Sequence, residues 1–302
     1  MNSDSYRHVA ALLLRHSPAT PHGEPRLGAA LAHVLRQPGK LLRARLVLFA
    51  GARHGFGPDA AERLACAVEY FHAASLVLDD LPCMDDADTR RSQPCVHKLH
   101  GDATAILAAL GLINRAYTLA GEAFADRSVS VRRAATACLD RCLGTAGLVG
   151  GQAFDLAFAA SDRSARMVSR IAAAKTGALF ELAILLPALA ARPSRRELRA
   201  LRALCVYLGQ TYQIADDLRD VLSPSAEAGK TTGRDRALTR PNLALALDVP
   251  AARARLARLD RQARRALADL AVAGGARWAY LAAFKDGLLD QFSVSPPAVR
   301  AA

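Results

Sequence analysis

Apolar residues recur at helical spacing, three or four apart, in segment after segment of this chain, and no stretch alternates apolar with polar residues as a half-buried strand must. The segments run over roughly 5–15, 26–36, 41–54, 60–80, 102–124, 129–148, 165–190, 195–222, 241–270 and 276–292. Strand-favouring residues are scarce, with aromatics at 5% of the chain, so the expected class is all-α. The chain has 302 residues, 52% of them hydrophobic, and nothing in it reads as a linker. That is enough to bury a full core, and a single domain over 1–302 is expected.

The formal net charge of +12 raises the question of a nucleic-acid partner. The arginines are scattered through the helical segments, however, and no dense basic run is interleaved with aromatics, so no nucleic acid is expected. Lysine is the more informative cation, because it occurs only at Lys40, Lys98, Lys175, Lys230 and Lys285. The cysteines (Cys66, Cys83, Cys95, Cys138, Cys142, Cys205) form neither a disulfide framework nor a CxxC knuckle and fit a reducing cytoplasm. The N-terminal apolar run is too short and interrupted for a secretory signal. The most apolar window, around 179–191, carries Glu181 and Pro187, so a soluble protein without a membrane span is expected.

Two breaks between helices are crowded with aspartate. The first, Asp79-Asp80-Leu81-Pro82-Cys83-Met84-Asp85-Asp86 followed by Asp88, sits where the apolar run HAASLVL ends. Carboxylates at a helix C-terminus face the negative end of the helix dipole and repel one another, so a cation is needed there. The second, Asp216-Asp217-Leu218-Arg219-Asp220, follows Gln213-Ile214. Asp216 and Asp220 are four apart and share a helix face, with Asp217 beside them. Two all-oxygen sets without His/Cys spacing suit Mg2+, which takes a few carboxylates together with waters and phosphate oxygens, better than zinc. Cations that can grip phosphate lie nearby: Arg90-Arg91, Lys40 with Arg43 at a helix start, Lys175-Thr176, and Gly229-Lys230.

The stretch HAASLVLDDLPCMDDADTRRSQPCVHKLHGDATAILAALGL resembles the first aspartate-rich region of trans-prenyl diphosphate synthases, above all bacterial carotenoid-type geranylgeranyl diphosphate synthases. PGKLLRARL is similar to that family's GKRxRP segment, GGQAFDL to its GGQxxDL and KTGALFELA to its KTGxLF. YQIADDLRD with GKTTGRD resembles its second aspartate-rich motif and lysine loop. The matches run from about residue 38 to 235 in the family's order and spacing.

The resemblance implies an isoprenoid-synthase-like helical bundle around a central active-site cavity, and an enzyme that joins isopentenyl diphosphate to an allylic diphosphate. It implies that Asp79, Asp80, Asp85 and Asp216, with Asp217 and Asp220, hold Mg2+ on the allylic diphosphate. Arg90, Lys175, Thr176, Gln152, Gln213 and Lys230 would bind that diphosphate, and Lys40, Arg43, His72 and Arg91 isopentenyl diphosphate. Ala74 and Ser75, five and four residues before Asp79, would line the path of the growing tail, with Phe71 as its floor. Small residues there imply geranylgeranyl diphosphate as product, and the family's habit implies a homodimer.

The chain departs from the pattern at Leu41, where Arg is usual, at Ala44, where Pro is usual, and at Ser92, where Gly follows the arginine pair. Where a lysine is expected after Asp235 the chain has Leu238, leaving only Arg236 or Arg240 to compensate. A terpene cyclase would mix Asn, Ser and Glu in its second motif, which DDLRD does not. A farnesyl diphosphate synthase, or a non-catalytic partner subunit of a heteromeric synthase, remains the alternative; the partner subunit is expected to have lost aspartates that are complete here.

Overall fold

Pro58 opens helix α4 (Pro58–Asp79) at a position where a missing N–H costs nothing, and Asp59 complements the dipole in its first turn. This helix is buried on nearly every side, through Leu64, Ala65, Ala67, Val68, Phe71, Ala74 and Val77, as expected of one at the centre of a bundle. Around it pack α3 (Leu42–Arg53), α6 (Asp102–Ala123) and α10 (Ala178–Ala190). The computed structural model describes residues 3–161, 163–222 and 240–290. Within these, α1 (Ser3–Arg15), α2 (Pro25–Arg36), α5 (Val96–His100), α7 (Val129–Leu143), α8 (Leu148–Leu156) and α9 (Ala165–Ala172) complete the first part. The long α11 (Arg195–Leu222), then α12 (Leu243–Leu247), α13 (Val249–Gly274) and α14 (Tyr280–Asp290) follow.

The all-α expectation holds, with one small addition. Two-residue strands β1 (Thr89–Arg90) and β2 (Gln93–Pro94) pair antiparallel, Arg90 opposite Gln93. Arg91 and Ser92 turn between them at φ 55° and 63°, the double left-handed geometry of a two-residue hairpin. Glycine is favoured at such positions, so Ser92 carries a conformational cost that the more usual residue avoids. The 165–190 segment is also interrupted: Ala173–Gly177 forms one π-helical turn.

A main core unites α1 through α7 with α10, the first half of α11 and α14. A second apolar cluster of Phe158, Val168, Ile171, Ile214, Leu218, Leu243 and Leu259 fastens α9, α11, α12 and α13. The start of α11 is fixed by a reciprocal cap: Ser194 N–H donates to Glu197 (2.8 Å), and Glu197 N–H donates to Ser194 Oγ (3.3 Å). The same buried carboxylate accepts from Trp278 Nε1 (2.7 Å) and from Arg277. Burial alone would raise the Glu197 pKa, but these donors outweigh it and hold it down to about 2. Because the folded value lies below the ordinary one, the stability this group contributes is present above pH 4.5 and is lost as pH falls toward 2. Glu197→Gln is expected to cost about 2 kcal/mol at neutral pH and to flatten the acid limb of a Tm-against-pH curve. An unchanged acid limb would show that Glu197 is not the group responsible.

Lys285, whose purpose the sequence leaves open, is buried and paired with Asp260 at 2.7 Å, fastening α14 to α13. Two helical stretches, Asp102–Ala123 and Ala165–Ala190, are long and apolar enough to cross a membrane by length and composition alone. The second is two-thirds buried inside the protein. The first, α6, is only 39% buried, because Leu107, Leu110, Tyr117 and Ile106 form an exposed apolar stripe opposite its contact with α4.

Candidate active site

The chain leaves α4 at Asp79 and folds straight back. Asp85 N–H donates to the Asp79 carbonyl (2.9 Å), Asp86 N–H to Leu81 and Ala87 N–H to Asp80, while Leu81 is buried beneath the loop as its anchor. The result sets the Asp85 carboxylate beside that of Asp79. From the opposite wall comes α11, which approaches the π turn so closely that a Cβ on Gly209 would lie 2.7 Å from Gly177 Cα. A Cβ on Gly151 of α8 would likewise lie 2.9 Å from Lys175 N. These glycines bring Lys175 and Thr176 on the π turn, Asp155 on α8 and Asp216 on α11 around one space.

That space is a cavity of about 490 Å³ lined by Asp79, Asp85 and Asp216, by Lys40, Arg43, Arg90, Arg91 and Lys175, and by Thr176, Gln213, His72, Glu69 and Ser75. Leu41, Leu42, Leu76, Leu148, Leu179 and Tyr212 supply apolar wall. A second chamber of about 170 Å³ adjoins it, walled by Asp85, Asp155, Lys175, Thr176, Gln213, Asp216 and Arg240.

Each carboxylate has a cation within reach. Lys175 Nζ lies 2.5 Å from Asp155 and 3.9 Å from Asp79. Arg240 contacts Asp85 at 2.5 Å and Asp155 at 3.6 Å, and donates to the Met84 carbonyl at 2.6 Å. Arg219 pairs with Asp216 at 2.9 Å. Burial raises the Asp79 pKa to about 6, against the pull of Lys175 and with the push of Asp85. Burial also disfavours the charge on Lys175, but Asp79 and Asp155 outweigh it and keep that pKa above the usual value. On the other side, burial followed by Arg43, Arg91 and Arg90 holds His72 well below the usual histidine value, hence neutral. Glu69 is buried near Arg43 and Arg91, and burial lifts its carboxyl to about 7 against their pull.

Arg43 stands 4.8 Å from the Phe180 ring centroid, its Nε buried without a partner. Arg91 donates to the Gln37 carbonyl and lies against Gly39, where φ is 69° and a Cβ would sit 2.5 Å from Arg91 Cζ. The PGK glycine is therefore required twice, by its backbone and by its neighbour. Leu41 is buried, at 2% exposure, so this departure is an apolar wall residue rather than a missing phosphate cation.

Several sequence expectations need correction. Asp80 does not line the main cavity: it is 4% exposed and gripped by Arg90 through Nε (2.9 and 2.8 Å) and Nη2 (2.5 Å). Asp217 is not on the wall of the main cavity either. It lies a residue further round the helix than Asp216, is 1% exposed, and accepts from Leu243 N–H (2.7 Å) and Gln213 Nε2 (2.8 Å), so it docks α12 onto α11. Asp220 is buried a turn beyond and outside the cavity lining. Gln152 points its amide at Met84 Sδ (3.5 Å) instead of into the cavity. Thr176 Oγ1 donates to Gln213 Oε1 at 2.7 Å, coupling two of the expected residues. Ser75 is on the cavity wall, whereas Ala74 is fully buried behind it and Phe71 is buried with its ring edge-on to Tyr117 at 4.9 Å. Lys230 and Arg236 lie outside the described residues. Lys98 pairs with Asp88 at 2.9 Å on the exposed rim of the acidic loop.

Among the described residues no three His, Cys, Asp or Glu side chains converge tightly enough to hold an ion alone. Asp79, Asp85 and Asp216 nevertheless face one polar cavity, an all-oxygen donor set that fits Mg2+ completed by waters and phosphate oxygens.

Residues 24–270 match the family model described as polyprenyl synthetase. The chain is 38% identical over 242 residues to the mitochondrial geranylgeranyl pyrophosphate synthase 6 of Arabidopsis thaliana, a match covering 78% of this chain and 72% of that one. It is 41% identical over 210 residues to the geranylgeranyl diphosphate synthase of Pseudescherichia vulneris, covering 68% of this chain and 66%, just under two thirds, of that relative's length. In three dimensions it resembles an FPP/GFPP synthase from Zymomonas mobilis with a TM-score of 0.75 and 30% identity, covering 96% of this chain and 95% of that one. With its motifs in place around a single cavity and this match over most of its length, the chain belongs to the polyprenyl synthetase family.

Proposed function

We propose that this protein is a magnesium-dependent prenyltransferase that condenses isopentenyl diphosphate with an allylic diphosphate, with geranylgeranyl diphosphate as its main product. The observation that carries this reading is one cavity in which Asp79 and Asp85 face Asp216 and two groups of cations flank them. Lys175, Thr176, Gln213 and Arg90 surround the place for the allylic diphosphate, and Lys40, Arg43, Arg91 and His72 that for isopentenyl diphosphate. Mg2+ held by Asp79, Asp85 and Asp216 would neutralise charge on the departing diphosphate. Lys175 and Arg90 stabilise the same charge through fixed cations in a site of low dielectric. The wall of Leu76, Leu148 and Leu179 keeps water from the allylic cation while the isopentenyl double bond attacks it. The released diphosphate is the nearest base for the proton that is lost.

The test is purified protein with magnesium, isopentenyl diphosphate and each allylic primer in turn, with products sized by chromatography. Twenty-carbon product is expected. A fifteen-carbon stop favours the farnesyl reading, and silence alone with an altered product in a mixture favours a non-catalytic partner subunit.

The protein is further proposed to act as a cytoplasmic homodimer. All its cysteines are free, which suits a reducing compartment. The stripe of Leu107 and Leu110, each 54% exposed, with Tyr117 and Ile106 supports α6 as the self-complementary face. Leu107→Glu with Leu110→Glu is expected to halve the mass measured by light scattering. A dimer that survives both changes must use another face.

A further inference from the structure

Arg240 follows the segment in which a lysine of the family pattern is missing, and its contacts are specific. One guanidinium nitrogen meets both Asp85 Oδ1 (2.5 Å) and the Met84 carbonyl (2.6 Å), the other approaches Asp155 Oδ1 (3.6 Å), and Nε is buried without a partner. The side chain is 16% exposed and forms part of the wall of the 170 Å³ chamber shared with Lys175, Thr176, Gln213 and Asp216. Arg219 is a local partner, three residues from Asp216 on the same helix; Arg240 reaches the acidic loop from a different part of the chain.

We propose that Arg240 is a built-in counter-ion: it holds Asp85 in the metal-free protein and passes to the diphosphate when a divalent cation takes that carboxylate. This rests on the function proposed above. A guanidinium and a dication on one carboxylate oxygen repel each other, so cation binding to Asp85 must displace Arg240. The arriving diphosphate brings the negative charge that the displaced fork matches, and phosphate oxygens accept two parallel N–H donors as a carboxylate does. Divalent cation alone therefore binds against Arg240, whereas cation and diphosphate together bind with its help. The two ligands are coupled through this side chain. Arg240 also supplies the charge of the lysine missing after Asp235.

The experiment uses the full chain and needs no turnover. Mn2+ binding without substrate is followed by electron paramagnetic resonance, and inorganic pyrophosphate binding at saturating Mg2+ by calorimetry. Arg240→Gln is expected to bind Mn2+ about fivefold more tightly and pyrophosphate about tenfold more weakly, the sign reversal being what a merely structural role would not produce. Arg240→Lys retains the charge but not the fork, so its Mn2+ affinity should stay within about twofold of wild type while pyrophosphate binding weakens about threefold. If Arg240→Gln does not fold, Arg240→Met, which keeps the length of the side chain without its charge, carries the Mn2+ test. Mn2+ binding that fails to tighten in the uncharged variant overturns the proposal, as does pyrophosphate binding that Arg240→Gln leaves unchanged. Either result leaves wild-type turnover of isopentenyl and allylic diphosphates intact, so failure here is distinct from failure of the proposed function.

Discussion

Asp79→Ala and Asp216→Ala are each expected to lower kcat at least ~100-fold, comparable to removing one main electrostatic stabiliser from a transition state. Both carboxylates face the cavity, and they come from opposite walls. Losing either would leave the cation held from one side while negative charge builds on the departing diphosphate. The informative comparison is Asp217→Asn. Its carboxylate already accepts from Leu243 N–H and Gln213, so the substitution disturbs the docking of α12 and should lower Tm while leaving kcat within about tenfold of wild type. Steady-state rates and thermal melts on the same samples separate the two outcomes. Wild-type turnover in Asp79→Ala, or a loss in Asp217→Asn as deep as in Asp216→Ala, would show that the division of the second aspartate set is wrong.

That division marks where sequence reasoning stops. Helical spacing shows that Asp216 and Asp220 share a face and that Asp217 is adjacent, but the face turned to the cavity depends on what packs behind the helix. Here α12 arrives from beyond residue 240 and claims Asp217 through a backbone N–H. Asp80 is similar: adjacent to Asp79 in sequence, it is taken by Arg90, and the hairpin that carries Arg90 is too short to leave an alternating pattern. Helix existence was legible because apolar spacing is a local property. Pairing between distant side chains is not local.

The residues missed tell the same story. Asp155 stands inside the quoted GGQAFDL, yet its role as partner to Lys175 and Arg240 appears only once Gly151 lets α8 approach the π turn. Glu69 did leave a signal, a lone acid in the apolar run ACAVEYFHAASLVL three residues before His72. A carboxyl there needs a reason, and the reason is the nearby charge of Arg43 and Arg91. Arg240 was legible only as the possible compensation for an absent lysine; its contact with Asp85 was not.

Ala74→Phe is expected to shift the main product from twenty carbons to fifteen, by closing a route that is shut until a tail enters it. The cavity wall reaches Ser75, one turn below Asp79, and Ala74 lies directly behind with no exposure. A tail that grows past Ser75 must press between α4 and α6, and the buried face of α6 there is built from Ala105, Ala108, Ala109 and Ala116 around one larger residue, Leu112. The alanines on both helices leave the seam few bulky contacts for a flexible chain to displace, whereas a ring at 74 fills it before the tail arrives. The same ring adds volume to a packed core and should lower stability by about 1–3 kcal/mol, so a thermal melt accompanies every product assay. Ser75→Phe places the ring on the open wall and should shorten the product at least as much, with less loss of stability. Phe71→Ala removes half of the Phe71–Tyr117 contact one turn deeper and should lengthen it. If Ser75→Phe shortens the product while a folded Ala74→Phe leaves it at twenty carbons, the tail leaves the cavity on the Leu148 and Leu179 side and never parts α4 from α6.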